Sequence, residues 1–219
     1  MRALLIACDF DGTITRRDTL HVIVEAFGTR GIWAALEPRL RAGEITVEEA
    51  MEQEFGEVRA SREEVLAAVR ERAPIRAGFP ELVDWSEARG HRVVVVSNGF
   101  RTVIDAVLGD AGLGRLEVAS HEASFSPDGC RLSWSDRGER CSLCGRRCKR
   151  YEIERRLRGE RLVYLGDGIS DRCAVGMADV AFARDGLAEH LRERGVPFLP
   201  FEDFHDVRRT LESMARDAA

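Results

Sequence analysis

The sequence predicts an α/β fold, a Rossmann-like parallel sheet with helices on both faces, plus a small helical cap inserted after the first strand. Three observations carry this. Four short apolar runs each lead into turn-forming or loop residues, helical periodicity fills the gaps between the later runs, and one long stretch after the first run holds helical patterns with no strand. Sheets of this kind bind ligands beyond the carboxyl ends of their strands. Every polar motif described below falls at such an end.

The first run, residues 3–7, leads into Asp9-Phe10-Asp11-Gly12-Thr13. Side chains alternate along a strand, so Asp9 and Asp11 set out on one side, and Gly12 lets the backbone turn away. Two acids aimed at one point are costly unless a cation or a shared proton intervenes, whereas an isolated Asp-Gly is ordinary turn punctuation. Helical patterns follow at 20–26, 32–41, 47–55 and 62–72. Residues 16–77 are therefore assigned to the cap, and residues 1–15 and 78–219 to the core. The second run, 93–96, leads into Ser97-Asn98-Gly99 and a helix over 102–111. Residues 121–148 read as a hairpin turning at Ser126-Pro127-Asp128-Gly129, then a knuckle-like loop rich in cysteine. A helix over 149–157 precedes the third run, 162–165, which ends in Gly166-Asp167-Gly168 and continues as a helix over 171–177. The fourth run, 180–183, passes through Arg184-Asp185-Gly186 to a helix over 187–194, and the residues after 214 read as a frayed end.

With 219 residues and 44% apolar content, the chain can bury a substantial core. A net charge of -5 with both signs interspersed leaves no basic stripe, so nucleic acid is not an expected partner and a small soluble metabolite is. No apolar stretch approaches the ~20 residues that span a bilayer, which excludes a membrane partner at this level. The first apolar run is too short and too quickly acidic for a signal peptide, so the expected location is the cytoplasm. The six cysteines are then expected as thiols. Of 33 lysines plus arginines, only Lys149 is a lysine. A chain that uses arginine for every generic cationic task keeps a lysine by accident or where a compact point charge is needed.

Taken together, the loops supply the parts that attack on a phosphate ester requires. Asp9 is the candidate nucleophile, and Asp11 the acid that protonates the leaving oxygen and then activates water. Asp167 can reach a hard cation, with Asp171 as a second or water-mediated ligand, and an all-oxygen set suits Mg²⁺. Ser97 and the backbone amides of Asn98 and Gly99, with Gly12, form the phosphate-binding set, and Lys149 can neutralise the nucleophile and the transferring group. Singly, Ser97-Asn98-Gly99 is a common turn and Asp171 a helix-terminal acid. Their joint order is what argues for a site.

These four motifs resemble those of the haloacid dehalogenase (HAD) superfamily, on its phosphatase side. The resemblance implies the HAD fold, an aspartyl-phosphate intermediate at Asp9, acid–base work by Asp11, and Mg²⁺ on Asp9, the Asp11 carbonyl and Asp167. A narrower resemblance, carried by Asp9 to Thr15, the cysteine approach to Cys148-Lys149 and the segments Phe182-Ala183-Arg184-Asp185 and Leu199 to Phe204, is to the methionine-salvage phosphatases acting on 2-hydroxy-3-keto-5-methylthiopentenyl 1-phosphate. Asn98 and Gly168 depart from that pattern, which has glycine and serine there. Phosphoethanolamine/phosphocholine-type phosphatases share the cysteine approach, and phosphoserine phosphatases share the cap position. In the latter a glutamate nine residues after the nucleophile contacts the substrate's amine. Here that position is Asp18, which equally suits the N-cap of the first cap helix. A catalytically silent relative that only binds a phosphometabolite is the alternative outside enzymes.

Cys141-x-x-Cys144-x-x-x-Cys148 admits a structural Zn²⁺ whose fourth ligand is Cys130 or His121, bracing the loop that presents Lys149. The competing reading is reduced cysteines packed as small hydrophobes. Cys8 and Cys173 are expected in the core.

Overall fold

In the computed structural model, residues 3–134, 140–145 and 148–217 are described. Its sheet has seven strands: β1 (Leu4–Cys8), β2 (Arg92–Phe100), β3 (Glu117–Ser126), β4 (Gly129–Ser133), β5 (Arg161–Gly166), β6 (Val180–Ala183) and β7 (Leu199–Pro200). Their spatial order is β4-β3-β2-β1-β5-β6-β7, parallel throughout except for the β3–β4 hairpin. The chain builds outward from β1 through β2 and β3, then returns to β1's other side with β5. A crevice forms where that order reverses, at the carboxyl ends of β1 and β5.

Helices α1 (Thr19–Phe27), α2 (Ile32–Ala42), α3 (Val47–Phe55) and α4 (Arg62–Arg72) lie between β1 and β2. An antiparallel bridge between Thr15 and Ile75 closes the neck of this insertion. Its α3 and α4 begin with the capping boxes Thr46/Glu49 and Ser61/Glu64, which satisfy backbone donors at each helix start. Then come α5 (Phe79–Glu87), α6 (Arg101–Asp110), α7 (Lys149–Glu154), α8 (Arg172–Val175), α9 (Asp185–Glu193) and α10 (Phe204–Asp217).

The central strands β1, β2 and β5 are buried on both faces, and their period of two splits the core in two. Ile6, Cys8, Val93, Val95, Val163 and Leu165 face one side with α5, α6 and α10. Leu5, Ala7, Val94, Val96, Leu162 and Tyr164 face the other with α7, α8 and α9. Val22, Met51, Phe55, Val65 and Val69 of the insertion join the first core, and Phe55 meets Phe100 edge-on at 4.7 Å. Leu36 of α2 packs in a small cluster with Ile45 and Ala50.

The four predicted strands and the four insertion helices are present, with ends shifted by a residue or two except that β2 runs on through Ser97-Asn98-Gly99 to Phe100. Four elements went unread, α10 among them. The parallel part of β3, Glu117 to His121, has only two apolar residues, Val118 and Ala119, between polar ones, too few to read as an apolar run; it pairs with β2 before continuing into the hairpin, so the hairpin is one arm of a longer strand. The two-residue β7 contains a proline, admissible only at an edge. In α5, Phe79-Pro80 opens the helix, a position where proline is at home. The helix expected over 171–177 is instead a 3₁₀ turn, Ile169–Asp171, followed by the single-turn α8. At the other end α10 stays helical through residues expected to fray. Among the described residues, no helix is long and apolar enough to cross a membrane.

Candidate active site

Strand β1 delivers Asp9 to the crevice, and the chain then makes a wide loop, Phe10–Ile14, closed by Thr15 N donating to Phe10 O at 3.0 Å. Asp9 is 4% exposed. Its Oδ1 accepts from Phe10 N at 2.7 Å and from Lys149 Nζ at 2.5 Å. Gly12 sits at φ +76°, and a Cβ there would lie 2.4 Å from Asp167 Oδ2. Both the left-handed backbone and that close approach demand glycine. Asp11, on the same loop, is oriented by three donors: Ser97 Oγ at 3.0 Å on Oδ2, and Thr19 N at 3.0 Å with Thr19 Oγ1 on Oδ1.

Strand β2 runs on through Ser97, Asn98 and Gly99, with its pairing to β3 interrupted between Val96 and Phe100. Ser97 Oγ accepts from Gly99 N at 2.7 Å while it donates to Asp11, and a Cβ on Gly99 would stand 2.5 Å from Asp11 Oδ2. Asn98 and Gly99 both line the cavity above Asp9. In this conformation the Gly99 amide is occupied by Ser97.

Lys149 opens α7 and is 2% exposed, its ammonium between Asp9 and Asp171 Oδ1 at 2.6 Å. Asp171 is fully buried and has both oxygens engaged. Oδ1 takes Lys149 Nζ and Tyr164 Oη, the latter at 2.5 Å, and Oδ2 takes the backbone N–H groups of Asp167 and Gly168, each at 2.9 Å. Asp167 Oδ1 accepts from Thr13 Oγ1 at 2.9 Å. Burial alone would depress the Lys149 ammonium, but Asp171 and Asp9 outweigh it and hold its pKa above the ordinary value. Burial, then Asp171, pushes Asp9 well above the usual carboxylate range against the pull of Lys149, and the same two causes push Asp167 up to about 7.

Oxygens of Asp9, Asp167 and Asp171 lie within 4.8 Å of one another. Carboxylates gathered this closely in a dry crevice call for more positive charge than one ammonium, and hard oxygen donors are the set that Mg²⁺ prefers. The residues therefore fit such an ion.

Comparison with known proteins agrees with this geometry. A family model described as haloacid dehalogenase-like hydrolase matches residues 6–175, from β1 to the end of α8. This chain belongs to that family. It is 33% identical over 98% of its length to the bifunctional enzyme MtnB/MtnX of Bacillus licheniformis, of which it spans 51%. It is 32% identical to the 2-hydroxy-3-keto-5-methylthiopentenyl-1-phosphate phosphatase of Geobacillus kaustophilus, with 97% of each chain covered. Among solved structures, a phosphoserine phosphatase captured as a phospho-aspartyl intermediate analogue superposes with a TM-score of 0.73 over 97% of this chain and 99% of that one, at 20% identity. That likeness shows a common HAD fold.

In this hydrolase the crevice opens into a cavity of about 410 Å³ beneath the helical insertion. Asp9, Asp11, Gly12, Asn98, Gly99, Lys149 and Asp167 all line it, while Leu20, Trp33, Leu40, Val47 and Met51 supply apolar walls. Asp18 lines it too and caps α1, accepting from Leu20 N at 2.8 Å and His21 N at 3.1 Å; burial, then nearby Asp11, raises its pKa to about 7. Asp18 is thus the N-cap of α1 and also faces the cavity.

Four contributors escaped the sequence. Thr13 and Thr19 hold Asp167 and Asp11, and Tyr164 holds Asp171. Arg76, 8% exposed, donates to the carbonyls of Gly12 at 2.8 Å and Thr13 at 3.0 Å and so fixes the loop from behind. In a chain where arginine is the default cation, nothing marks Arg76 out. Thr13 and Thr19 were within reach of inference, being hydroxyls beside motif acids.

The cysteine expectations need one correction. Cys130, expected as the fourth member of the cluster, lies on β4 and packs against the first core. Its place is taken by Cys173, which was expected in the core and instead stands 3.8 Å, sulfur to sulfur, from Cys141. His121, the other candidate, lies on β3 with its ring 4.8 Å from that of Trp134. Cys8 is fully buried in β1, as expected.

Proposed function

We propose that this HAD hydrolase is a Mg²⁺-dependent phosphomonoesterase of the methionine-salvage type, acting on 2-hydroxy-3-keto-5-methylthiopentenyl 1-phosphate or a close analogue. One observation carries the reading: paired acids and a buried lysine share a cavity with an apolar group from the insertion, Leu20, Trp33, Leu40, Val47 and Met51, set among charged side chains such as Arg41 and Glu54. A substrate with a phosphate at one end and a thioether at the other would match both groups. Relatives at 29% and 32% identity, named as phosphatases of 2-hydroxy-3-keto-5-methylthiopentenyl 1-phosphate, support the same ester.

In the proposed reaction, Asp9 attacks phosphorus through Oδ2, because Oδ1 is held by Phe10 N and Lys149 Nζ. As the ester bond breaks, Asp11 gives its proton to the departing oxygen, leaving a phosphoryl group on Asp9. Asp11 then takes a proton from a water that attacks phosphorus, which releases phosphate and restores Asp9. Thr19 keeps Asp11 aimed through both steps. Ser97 holds Asp11 and the Gly99 amide in the free site; when the ester binds, it turns to the phosphoryl group and releases that amide. Ser97 and the amides of Asn98 and Gly99 bind phosphoryl oxygens, and Lys149 offsets the charge that develops there. Asp9, Asp167 and the Asp11 carbonyl would hold Mg²⁺, with Asp171 behind them; when bound, the ion supplies electrostatic stabilisation to the phosphoryl oxygens. The helical insertion, whose residues line the cavity beside the motif acids, acts as the cap over the bound ester.

A second reading, a phosphoserine- or phosphocholine-type phosphatase, draws on acids in the same cavity. Asp18 and the buried Glu54, whose Oε1 has no hydrogen-bond partner, could receive a cationic head group. Phosphate release from the salvage ester, phosphoserine, phosphocholine and phosphoethanolamine, with Mg²⁺ or with chelator, separates the readings. The expected result is highest kcat/KM on the salvage ester, dependence on Mg²⁺, and no turnover in Asp9→Asn. Preference for an amine ester would favour the second reading, and turnover by Asp9→Asn equal to that of the native chain would sink the mechanism.

A further inference from the structure

Cys141, Cys144 and Cys148 lie on the loop entering α7, and Cys173 lies on α8. Their four sulfurs fall within 4.8 Å of one another, with Cys141 Sγ 3.8 Å from Cys173 Sγ and Cys144 Sγ 3.6 Å from Cys148 Sγ. A disulfide needs about 2.05 Å, and none is formed. Tetrahedral coordination, by contrast, places four sulfurs, each ~2.3 Å from one central ion, roughly 3.8 Å apart. The observed spacing is that of a tetrathiolate cage.

The loop backbone is shaped to the same end. Leu143 N donates to Cys141 Sγ at 3.4 Å, and Cys144 N also bonds that sulfur. The turn closes with Gly145 N on Cys141 O at 2.9 Å. N–H donors wrapped around a sulfur favour the thiolate, which is the form that binds metal. Packing as small hydrophobes does not account for the cluster, because Cys144 is exposed and gains no burial there.

We infer that Cys141, Cys144, Cys148 and Cys173 form a structural Zn²⁺ site. All four ligand positions are filled by protein, so the ion takes no substrate. Its place in the fold gives it a task. Cys148 immediately precedes Lys149 and Cys173 follows Asp171 by two residues, so the ion ties together the two segments that carry the Lys149–Asp171 ion pair. These are positioning residues: they hold the lysine's segment against the carboxylate's without touching the cavity.

The test is metal content, which does not depend on the phosphatase reading. Full-length protein without a polyhistidine tag, purified with no added metal, is expected to carry one equivalent of zinc. Replacement by Co²⁺ is expected to give the thiolate-to-metal charge-transfer and intense ligand-field bands of a tetrahedral sulfur site, which an oxygen site does not give. Cys173→Ser and Cys144→Ser should lose the zinc, while Cys130→Ser should keep it. Native protein without zinc, iron in its place, or zinc retained by Cys173→Ser but lost by Cys130→Ser would each overturn the assignment. The native measurement alone is decisive if a variant fails to fold.

Discussion

Glu54 makes the burial argument quantitative. It lies on α3, is 3% exposed, lines the cavity, and leaves Oε1 without a hydrogen-bond partner. Burial raises its pKa from an ordinary 4.5 to about 7, with His21 opposing and Asp18 adding. The folded state therefore holds this proton to higher pH than the unfolded chain does. Below pH 4.5 both states are protonated and the folded state has its full advantage; as pH rises through 7 that advantage is lost. A difference of about 2.5 in pKa, at ~1.36 kcal/mol each, corresponds to about 3 kcal/mol, of which about 2.5 falls between pH 5 and pH 8. Glu54→Gln keeps the shape and cannot ionise. Urea unfolding of both proteins at the two pH values is the assay, and the quantity compared is the loss on going from pH 5 to pH 8. Asp167 titrates in both proteins and cancels in that comparison, and Asp18 cancels apart from its charge on Glu54, a smaller cause than burial. The native chain is expected to lose about 2.5 kcal/mol more than the variant. Equal losses would mean that water reaches the Glu54 carboxylate and that the burial argument fails.

Two further substitutions probe the site directly. Lys149→Arg forces a broader cation between Asp9 and Asp171, where 2.5 and 2.6 Å contacts leave no slack. Turnover is expected to fall roughly 100-fold or more, with stability lowered by about 1–3 kcal/mol and the fold kept by circular dichroism. Normal turnover would make the lone lysine an accident. Gly99→Ala sets a methyl 2.5 Å from Asp11 Oδ2, and a displaced Asp11 should lower kcat on the order of 100-fold while KM stays nearly constant. A purely larger KM would place the damage in binding and contradict the role given to Asp11.

The sheet was legible where its strands are buried on both faces. Residues 93–96 and 162–165 are apolar without interruption because both cores claim them, and such runs announce themselves. Strand β3 did not, since its apolar residues are few and set among polar ones, as suits an edge region and a hairpin. The site was legible wherever chemistry demands a residue type that the chain otherwise avoids or a backbone that only glycine tolerates. Lys149 and Gly12 are the two plainest cases. What stayed hidden depends on approach through space: Tyr164 reaching Asp171, Arg76 reaching the loop carbonyls, and Cys173 reaching a loop about 30 residues away in sequence. No local pattern encodes these, because each partner's residue type has an adequate local explanation of its own.

Spacing alone gave Asp167 and Asp171 similar tasks, and their hydrogen bonds distinguish them. Asp171 is fully buried and takes two backbone donors, a phenol and an ammonium, so its charge is compensated within the fold. Asp167 takes the Thr13 hydroxyl and a side-chain hydrogen bond shared with Asp9, and its Oδ2 stands where a Cβ on Gly12 would intrude. A carboxylate with all its acceptor directions satisfied by fixed donors is a poor ligand but a good anchor, whereas one that shares a proton with a second carboxyl can exchange that proton for a cation. The acids therefore separate by what already holds them. Asp171 anchors Lys149, Asp167 waits for positive charge, and Asp9 lies between, with one oxygen fixed and the other directed to substrate. An anchor of this kind works only if the two segments bearing Lys149 and Asp171 keep their spacing, and the cysteines flank those two segments.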